Sequence, residues 1–371
     1  MKLIRSSKCS LKFATDSKRS ELKRVLTEYG RVCNIFIEHF WKNGTPSKSE
    51  LLKETVDLPE GTWLSARLRK VAAREAIDMI TAVKERWKNK PWKISMPVHK
   101  GRRALVSCTI AELQDKKDSS EFDAWLHLSS IGEKVILDLP VKYHKHINKL
   151  FAQGKRLNSY ILTEKYVQLS FEIDTGPKKS GKNAIGIDTG IKALASLNNG
   201  SQFGLAIESC VERIKRCDHG SQGQKQARRA MRQRIDEVVK EIVKHFEKID
   251  LVVVEKLKNM NYKSKLKRRL SKNMRRSIGT WAYRYWLKRL EQACETNRVS
   301  FRTVAPFYTS QTCPCCGHAD RGNRVLQEFR CLKCGHAGNA DIVAARNILT
   351  RFLTGVYGAR YKPYETMFSF S

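Results

Sequence analysis

Apolar positions early in the chain recur with a helical period. Over residues 18–42 they return every three or four positions, with Lys and Arg on the other side, which predicts an amphipathic helix. Residues 62–88 repeat the pattern and predict a second helix with basic faces. We therefore expect residues 17–91 to form a small helical unit.

From about residue 92 the hydrophobic period changes to two. The alternation is clearest over residues 167–173, where four apolar side chains alternate with polar ones, as in a strand with one buried face. Similar runs occupy residues 104–110, 122–129, 133–139 and 157–163, and a helix is expected near 141–153. The pattern predicts a small β-barrel built from residues 1–16 and 92–175, into which the helical unit is inserted.

A stretch rich in Gly, Pro, Ser and Lys follows the last of these strands and predicts a domain boundary, with residues 176–182 as the linker. Beyond it, residues 184–188 and 193–197 predict a β-hairpin. Residues 251–255 form a continuous β-branched run, which is typical of a strand buried on both faces. The hydrophobic patterns of the other segments predict a long helix at 207–247, a strand at 299–304 and a last helix at 340–353. Together with the hairpin and the buried strand, these elements predict an α/β unit.

Charge narrows the possible partners. The chain has 71 Lys+Arg against 37 Asp+Glu, a net charge of +34 in 371 residues, and such self-repulsion is relieved when a polyanion binds. Nucleic acid is the obvious counter-charge. The sequence has no apolar run long enough for a membrane span and no signal peptide, so we expect a cytoplasmic, nucleoid-associated protein with no membrane partner. Eleven cysteines in a reducing compartment favour metal binding over disulfides.

Three carboxylates are candidates for a catalytic metal site. Asp188 and Glu255 each end an apolar strand, and Asp341 begins the last helix. Taken singly, each has an ordinary alternative: a salt bridge or cap for the first two, and helix capping for Asp341. Acids converging from three such elements can hold two Mg²⁺ and hydrolyse a phosphodiester. The sequence has neither a nucleophile elbow nor a nucleotide-binding phosphate loop, so we expect no protein nucleophile and no NTP hydrolysis.

The cysteine spacing is the most specific signal in the chain. Two C-x₂-C pairs, each followed by glycine, predict a closed, structural four-thiolate zinc site. The expected ligands are Cys313, Cys316, Cys331 and Cys334. Cys315 is the odd cysteine, and His318 and His336 are the alternative ligands nearby.

A basic run without a single acid precedes a group of aromatic residues. One-sided charge favours contact with nucleic-acid phosphates, and a solvated helix face is the alternative. The basic residues are Lys263, Lys265, Lys267, Arg268, Arg269, Lys272, Arg275 and Arg276. The aromatic residues that follow, Trp281, Tyr283, Tyr285 and Trp286, either stack on bases or, as we favour, anchor the helix in the core.

Together these motifs resemble the TnpB family of transposon-encoded, RNA-guided nucleases, which are related to the compact type V CRISPR effectors. The resemblance rests on Gly-Ile-Asp-Thr-Gly at 186–190, Val-Val-Glu at 253–255, Thr-Ser-Gln-Thr-Cys at 309–313, and the helix that contains Asp341. The resemblance is specific from about residue 183 to residue 350. Before residue 183 it rests only on the predicted order of a barrel with an inserted helical unit.

The resemblance implies a RuvC-like RNase H fold at 183–308 and 337–353, in which Asp188, Glu255 and Asp341 bind Mg²⁺. It also implies a zinc-ribbon insert at 309–336 that binds the target nucleic acid, a wedge-like barrel, a helical recognition unit, and a C-terminal tail at 354–371. The implied partners are a guide RNA and double- and single-stranded target DNA. The oligomeric state, monomer or homodimer, stays open.

One residue departs from the family pattern. TnpB proteins commonly have Asn two residues after the last aspartate, and this chain has Val343, which predicts weaker support around Asp341. Three alternatives remain: a type V effector with a guide from a CRISPR array, a cleavage-deficient RNA-guided repressor, and a basic zinc-ribbon protein of the ribosome or transcription machinery. The three intact acids argue against the second, and the third leaves the strand-end acids unexplained.

Overall fold

The computed structural model describes residues 2–49, 51–115, 121–130, 135–205, 207–256 and 280–355. They fall into two compact units, one formed by Lys2–Asp174 and one that begins at Thr175. The division thus lies at the start of the Gly/Pro/Ser-rich stretch. None of the helices in these ranges is both long and apolar enough to cross a membrane.

Two long helices form the helical part of the first unit. Helix α1 (Asp16–Asn43) and helix α3 (Ala66–Arg86) match the two predicted helices to within a few residues. Each begins where a hydroxyl accepts a hydrogen bond from a backbone NH of the first turn: Thr15 for α1 and Ser65 for α3. The apolar stripes of both helices are buried in one core. A single-turn helix between them, α2 (Lys53–Asp57), is too short to show a period in the sequence.

The strands of the first unit form two antiparallel sheets. One has the order β1-β8-β7-β2, with β6 paired to β8, and the other has the order β3-β4-β5. Because the described strands form two sheets, the predicted barrel stays a prediction. The bounds are β1 (Lys2–Ser10), β2 (Arg103–Ser107), β3 (Ala111–Asp115), β4 (Ala124–Ser130), β5 (Val135–Val141), helix α4 (Lys145–Gln153), β6 (Lys155–Arg156), β7 (Ser159–Thr163) and β8 (Tyr166–Asp174).

A five-stranded mixed sheet organises the second unit. Its order is β11-β10-β9-β12-β13, in which β9 pairs antiparallel with β10 and parallel with β12, and β12 pairs parallel with β13. The bounds are β9 (Ala184–Asp188), β10 (Ala195–Leu197), β11 (Gln202–Phe203), β12 (Leu251–Glu255) and β13 (Ser300–Val304). The predicted hairpin and the predicted buried strand are therefore both present.

The single helix predicted for 207–247 is wrong, because the chain forms two helices there: α5 (Ile207–Arg216) and α6 (Gln222–Val243). Gly220 between them has φ +80°, which lies outside the helical region. Ser221 then caps α6 by accepting a hydrogen bond from the backbone NH of Gln224. Residues 218–226 contain no apolar residue and two glycines, so the break has a local signal in the sequence that the single-helix prediction overlooked.

Two further helices complete the second unit. Helix α7 (Tyr283–Thr296) packs against α6, and helix α8 (Ala340–Thr354) lies against β9 and β12. The contact between α8 and β9 is close enough to require glycine at one point. A Cβ added at Gly186 would lie 2.2 Å from the carbonyl oxygen of Ala345. The Gly-Ile-Asp sequence of β9 thus brings α8, with Asp341 at its start, against the strand that ends at Asp188.

Candidate metal centres

The three carboxylates singled out in the sequence line one cleft of about 340 Å³. Strands β9 and β12 run parallel, so their carboxyl ends meet at the same edge of the sheet. Ile187 is paired with Val254, and one residue further along both strands brings Asp188 beside Glu255. The remaining residues that line the cleft are Thr189, Gly190, Ile191, Trp281, Pro306, Thr309, Ser310 and Arg324.

Asp341 reaches the cleft from the first turn of α8. Asn339 caps this helix, since its side-chain oxygen accepts from the backbone NH groups of Asp341 and Ile342 at 3.0 and 3.2 Å. The capping role that was the alternative for Asp341 therefore belongs to Asn339. The Asp341 side chain pairs with Arg324 instead, at 2.7 Å. Val343, the departure from the family pattern, is buried against the zinc-ribbon residues Cys313 and Phe329.

Two of the carboxyl groups in the cleft are harder to ionise than usual. Burial, and then the charges of Glu255 and Asp341, raise the pKa of Asp188 well above its usual range. Burial also raises the pKa of Glu255, against the opposing effects of a hydrogen bond from Thr309 and the positive charges of Arg351 and Arg324. Carboxyl groups that resist ionisation beside one another indicate a site suited to cations.

Two residues in the cleft were missed in the sequence. Arg324 lies on the zinc-ribbon strand β14 (Arg324–Val325), and its guanidinium donates to Asp341. Thr309 donates its hydroxyl hydrogen to a carboxylate oxygen of Glu255. Thr309 belongs to the Thr-Ser-Gln-Thr-Cys motif quoted above, but the motif gave it no role in the site. Nothing in the sequence distinguished Arg324 from the other arginines.

Buried hydrogen bonds hold the surrounding loops in place. The Tyr283 hydroxyl donates to the backbone oxygen of Glu255 at 2.5 Å, and the Trp286 indole NH donates to the Thr189 hydroxyl at 3.3 Å. Asn347 donates to the backbone oxygens of Thr309 and Thr312, both at 2.7 Å. Tyr283 and Trp286 are thus part of the core, as we favoured over base stacking.

The four predicted cysteines form one cluster. The sulfur atoms of Cys313, Cys316, Cys331 and Cys334 all lie within 4.8 Å of one another, so the cluster could hold a structural zinc ion. Cys315 is exposed and lies outside the cluster. Neither His318 nor His336 belongs to it. The cysteines thus come together as predicted, and the histidine alternatives do not.

The two knuckles have the same geometry. In each, the first cysteine's backbone NH donates to the oxygen of the histidine five residues later, at 2.8 Å, and its own oxygen accepts from a glycine NH at 3.0 Å. The glycines, Gly317 and Gly335, have φ of +74° and +75°, which other residues rarely adopt. Strands β14, β15 (Glu328–Arg330) and β16 (Ala337–Asn339) form a small sheet beside the knuckles.

Backbone amides also favour thiolate in the second knuckle. Burial opposes ionisation of Cys331, but hydrogen bonds from the backbone NH groups of Cys334 and Lys333, and from the neighbouring thiols, lower its pKa to about 7. Zinc binds thiolate sulfur, so this knuckle is prepared for the metal.

The predicted phosphate-binding residues between 263 and 276 lie outside the described residues, as do residues 356–371 of the proposed tail. Their role stays a prediction.

Comparison with known proteins identifies the second unit. Residues 283–348 match the family described as Cas12f1-like, TNB domain. This part of the second unit is therefore similar to a Cas12f1-like TNB domain. The predicted relation to TnpB is confirmed by curated relatives. A putative RNA-guided DNA endonuclease, InsQ, of Escherichia coli is 51% identical over 47 residues, which is 12% of either chain. A TnpB-like protein of Aquifex aeolicus is 31% identical over 122 residues, 30% of this chain and 37% of the relative.

A further relative is the CRISPR-associated endodeoxyribonuclease Cas12f1 of Sulfoacidibacillus thermotolerans, which is 39% identical over 74 residues, 20% of this chain and 18% of the relative. The matches to these three relatives therefore span between 12% and 37% of the relatives' length.

Solved structures show that the fold is shared over a much longer stretch. A Cas12f1 structure in complex with sgRNA and target DNA superposes with a TM-score of 0.60 at 17% identity, over 90% of this chain and 83% of the other. The mini-RNA-guided endonuclease CRISPR-Cas_phi3 gives 0.59 at 10% identity, over 96% and 93%. The TNB-bearing chain therefore has the α/β fold of the compact type V effectors.

Replacing one zinc ligand should release the metal and loosen the TNB insert. We expect the Cys331→Ala variant to contain no zinc by elemental analysis and to lose hydrogen-exchange protection across residues 309–336, because three thiolates no longer close the site. Cys315→Ser is the matched control, since it removes an exposed thiol from the same knuckle. Equal loss of zinc in both variants would contradict the assignment.

Neutralising Asp188 should stabilise the metal-free protein in a pH-dependent way. The pKa of Asp188 is raised in the folded state. Above the usual pKa of aspartate, the unfolded chain therefore releases this proton more readily than the folded chain, and the folded state loses stability as pH rises toward the raised pKa. We expect Asp188→Asn to raise the free energy of unfolding at pH 8 in EDTA by about 1 kcal/mol or more, since a tenfold change in proton affinity is worth about 1.4 kcal/mol. Urea denaturation at pH 8 and pH 4 measures the difference, which should shrink at pH 4.

The exposed Asp218, replaced in the same way, is the control and should show no such gain. A gain from Asp188→Asn that is the same at both pH values would show that the substitution acts through packing and not through charge.

Proposed function

We propose that the protein is an RNA-guided DNA endonuclease that cleaves phosphodiesters by Mg²⁺-dependent hydrolysis. The observation that carries the proposal is the convergence of Asp188, Glu255 and Asp341 on one cleft beside a TNB domain. Curated relatives of the chain are named endodeoxyribonuclease and RNA-guided DNA endonuclease, which supports the same activity.

The cleft fits Mg²⁺ by the chemistry of its donors. Asp188, Glu255 and Asp341 supply carboxylate oxygens, the ligands that Mg²⁺ prefers, and the cleft leaves room for water and a phosphate. Burial raises the pKa of both Asp188 and Glu255, and a cation bound beside them would favour their ionised forms. We propose that these three residues hold two Mg²⁺, which when bound supply an activated water and neutralise the charge on the scissile phosphate.

The chain's own residues position this chemistry. Thr309 fixes one oxygen of Glu255 by donating a hydrogen bond to it, which orients the carboxylate. Arg324 lines the cleft and pairs with Asp341, so its guanidinium contributes positive charge where a phosphate enters. Trp286 holds Thr189, the residue after Asp188, through the indole hydrogen bond. Each contact reduces the freedom of a carboxylate or of the loop beside it.

The domain roles follow the same proposal. Residues 183–308 and 337–353 form a RuvC-like nuclease domain, and residues 309–336 form its target-nucleic-acid-binding insert. Residues 1–16 and 92–175 act as the wedge, and 17–91 as the recognition unit. The net charge of +34 is suited to holding a guide RNA scaffold and a guide–target heteroduplex by their phosphates.

Removing Asp188 should separate cutting from RNA binding. The protein is purified from cells that carry its native flanking DNA, the associated RNA is sequenced, and a matching plasmid library is added with Mg²⁺. We expect a discrete RNA with a variable end and cutting beside a short motif. Asp188→Ala should reduce the cutting rate by at least about a thousandfold while the same RNA co-purifies, because the change removes a metal ligand and leaves the basic surface intact.

Asp218→Ala, which replaces an exposed aspartate of the same unit, should cut at the wild-type rate. The guide's origin, a transposon end or a CRISPR array, is read from the RNA sequence. DNA binding by the wild-type complex without cutting would favour the repressor. Recovery of no specific RNA would favour a general basic zinc-ribbon protein.

A further inference from the structure

The loop that leaves β13 carries two exposed aromatic residues between two residues that line the cleft. Pro306 and Thr309 both line the cleft, and the residues between them, Phe307 and Tyr308, are 66% and 53% exposed. Adjacent aromatic side chains of this size rarely stay in water without a partner, because each presents a large apolar face.

This loop is held in a fixed conformation. Tyr308 has φ +61°, a left-handed conformation that is uncommon for a residue with a large side chain. Its backbone oxygen accepts hydrogen bonds from the backbone NH groups of Gln311 and Thr312, both at 3.1 Å, and from the Thr312 hydroxyl at 2.8 Å. The rings are therefore carried by a rigid turn, a requirement for a preorganised binding surface.

A second, independent observation points to a ligand in the same cleft. Trp281 lines the cleft and is 7% exposed, and its buried indole NH has no acceptor among the residues that the structure describes. A buried donor without an acceptor is costly, and a bound ligand that supplies the acceptor would remove this cost. The missing partner must offer a hydrogen-bond acceptor.

Positive charge stands at the same edge of the sheet. Lys256 follows Glu255 directly, its side chain is exposed, and its backbone NH donates to the oxygen of Val304 at 2.8 Å. Because Val304 ends β13, Lys256 lies beside the start of the aromatic loop. Aromatic faces, a cation and a hydrogen-bond donor in one place are the features that bind single-stranded nucleic acid.

We propose that Phe307 and Tyr308 stack against unpaired bases of the DNA strand that enters the cleft, and that the Trp281 indole NH donates to a phosphate oxygen of that strand. The inference rests on the proposed nuclease function and assigns residues that hold its substrate. The strand must be unpaired there, because in a duplex the base faces are covered by their neighbours. These residues position the strand, and the carboxylates act on it.

The stacking is tested with the full-length protein and DNA strands in which one base at a time is 2-aminopurine, whose fluorescence reports stacking. Ca²⁺ replaces Mg²⁺, and a denaturing gel verifies that the strand stays intact. We expect the wild-type protein to change the fluorescence at one or two adjacent positions of a single strand, and not of the matching duplex. The paired variant Phe307→Ala with Tyr308→Gly should abolish this signal and weaken single-strand binding about tenfold.

The variants are chosen to keep the fold. Glycine accepts the positive φ of residue 308, and Phe307→Tyr with Tyr308→Phe retains both rings and should restore the signal. Leu205→Ala is the matched control, because the exposed fraction of Leu205, 65%, is similar to the 66% of Phe307, and Leu205 is not among the residues that line the cleft. A fluorescence change that persists in the ring-free variant, or that the duplex reproduces, would overturn the stacking.

The indole contact is tested with Trp281→Phe, which keeps an aromatic ring and removes the NH. We expect it to bind the single strand about threefold to tenfold more weakly, and the loss should vanish for one of the two stereoisomers of a methylphosphonate at one particular position, in which methyl replaces the accepting oxygen. A loss that is independent of the phosphate replaced would show that Trp281 only supports packing. Both experiments measure binding of a single strand and not its cleavage. A protein that failed to cut a guided target would refute the proposed function, but the binding and fluorescence results would still test this inference.

Discussion

Burial of carboxyl groups beside one another is the constraint on which the arrangement of the cleft depends. Asp188, Glu255 and Asp341 line one small cleft, and burial, followed by the charges of Glu255 and Asp341, raises the pKa of Asp188 well above its usual range. A fold bears this cost only where the elements that carry the acids are fixed by other contacts. Here the parallel pairing of β9 with β12 and the close approach of α8 to Gly186 supply them.

The cysteine-bearing insert contacts the three acids through Arg324, and the residues just before it contact them through Thr309. Arg324, on the first strand of the ribbon's small sheet, pairs with Asp341, and Thr309, just before the first knuckle, donates to Glu255. Asn347 of α8 ties Thr309 and Thr312 to the same helix. The knuckle cysteines therefore do more than fold the insert, because they position side chains that balance charge around two of the three acids.

The candidate site could be predicted from the sequence wherever its signal is local. A β-branched run ending in Glu255, a Gly-Ile-Asp strand and two C-x₂-C pairs each identify a residue together with its element. Arg324 could not be predicted, because its role depends on a tertiary contact with Asp341 seventeen residues away and its neighbours are unremarkable. The break at Gly220 was missed although its signal is local, because residues 218–226 contain two glycines and no apolar residue. The two long helices of the first unit followed from periodicity, while strand pairing in that unit required the structure.

The central claim is that the three acids converge to bind a pair of divalent cations. Electron paramagnetic resonance during a Mn²⁺ titration of the protein with a single-stranded DNA tests it directly, because two ions sharing ligands couple magnetically. We predict two Mn²⁺ per chain with a coupled spectrum, and loss of that spectrum when Glu255 is replaced by Gln. Two uncoupled ions, or an unchanged spectrum in the Glu255→Gln variant, would contradict it.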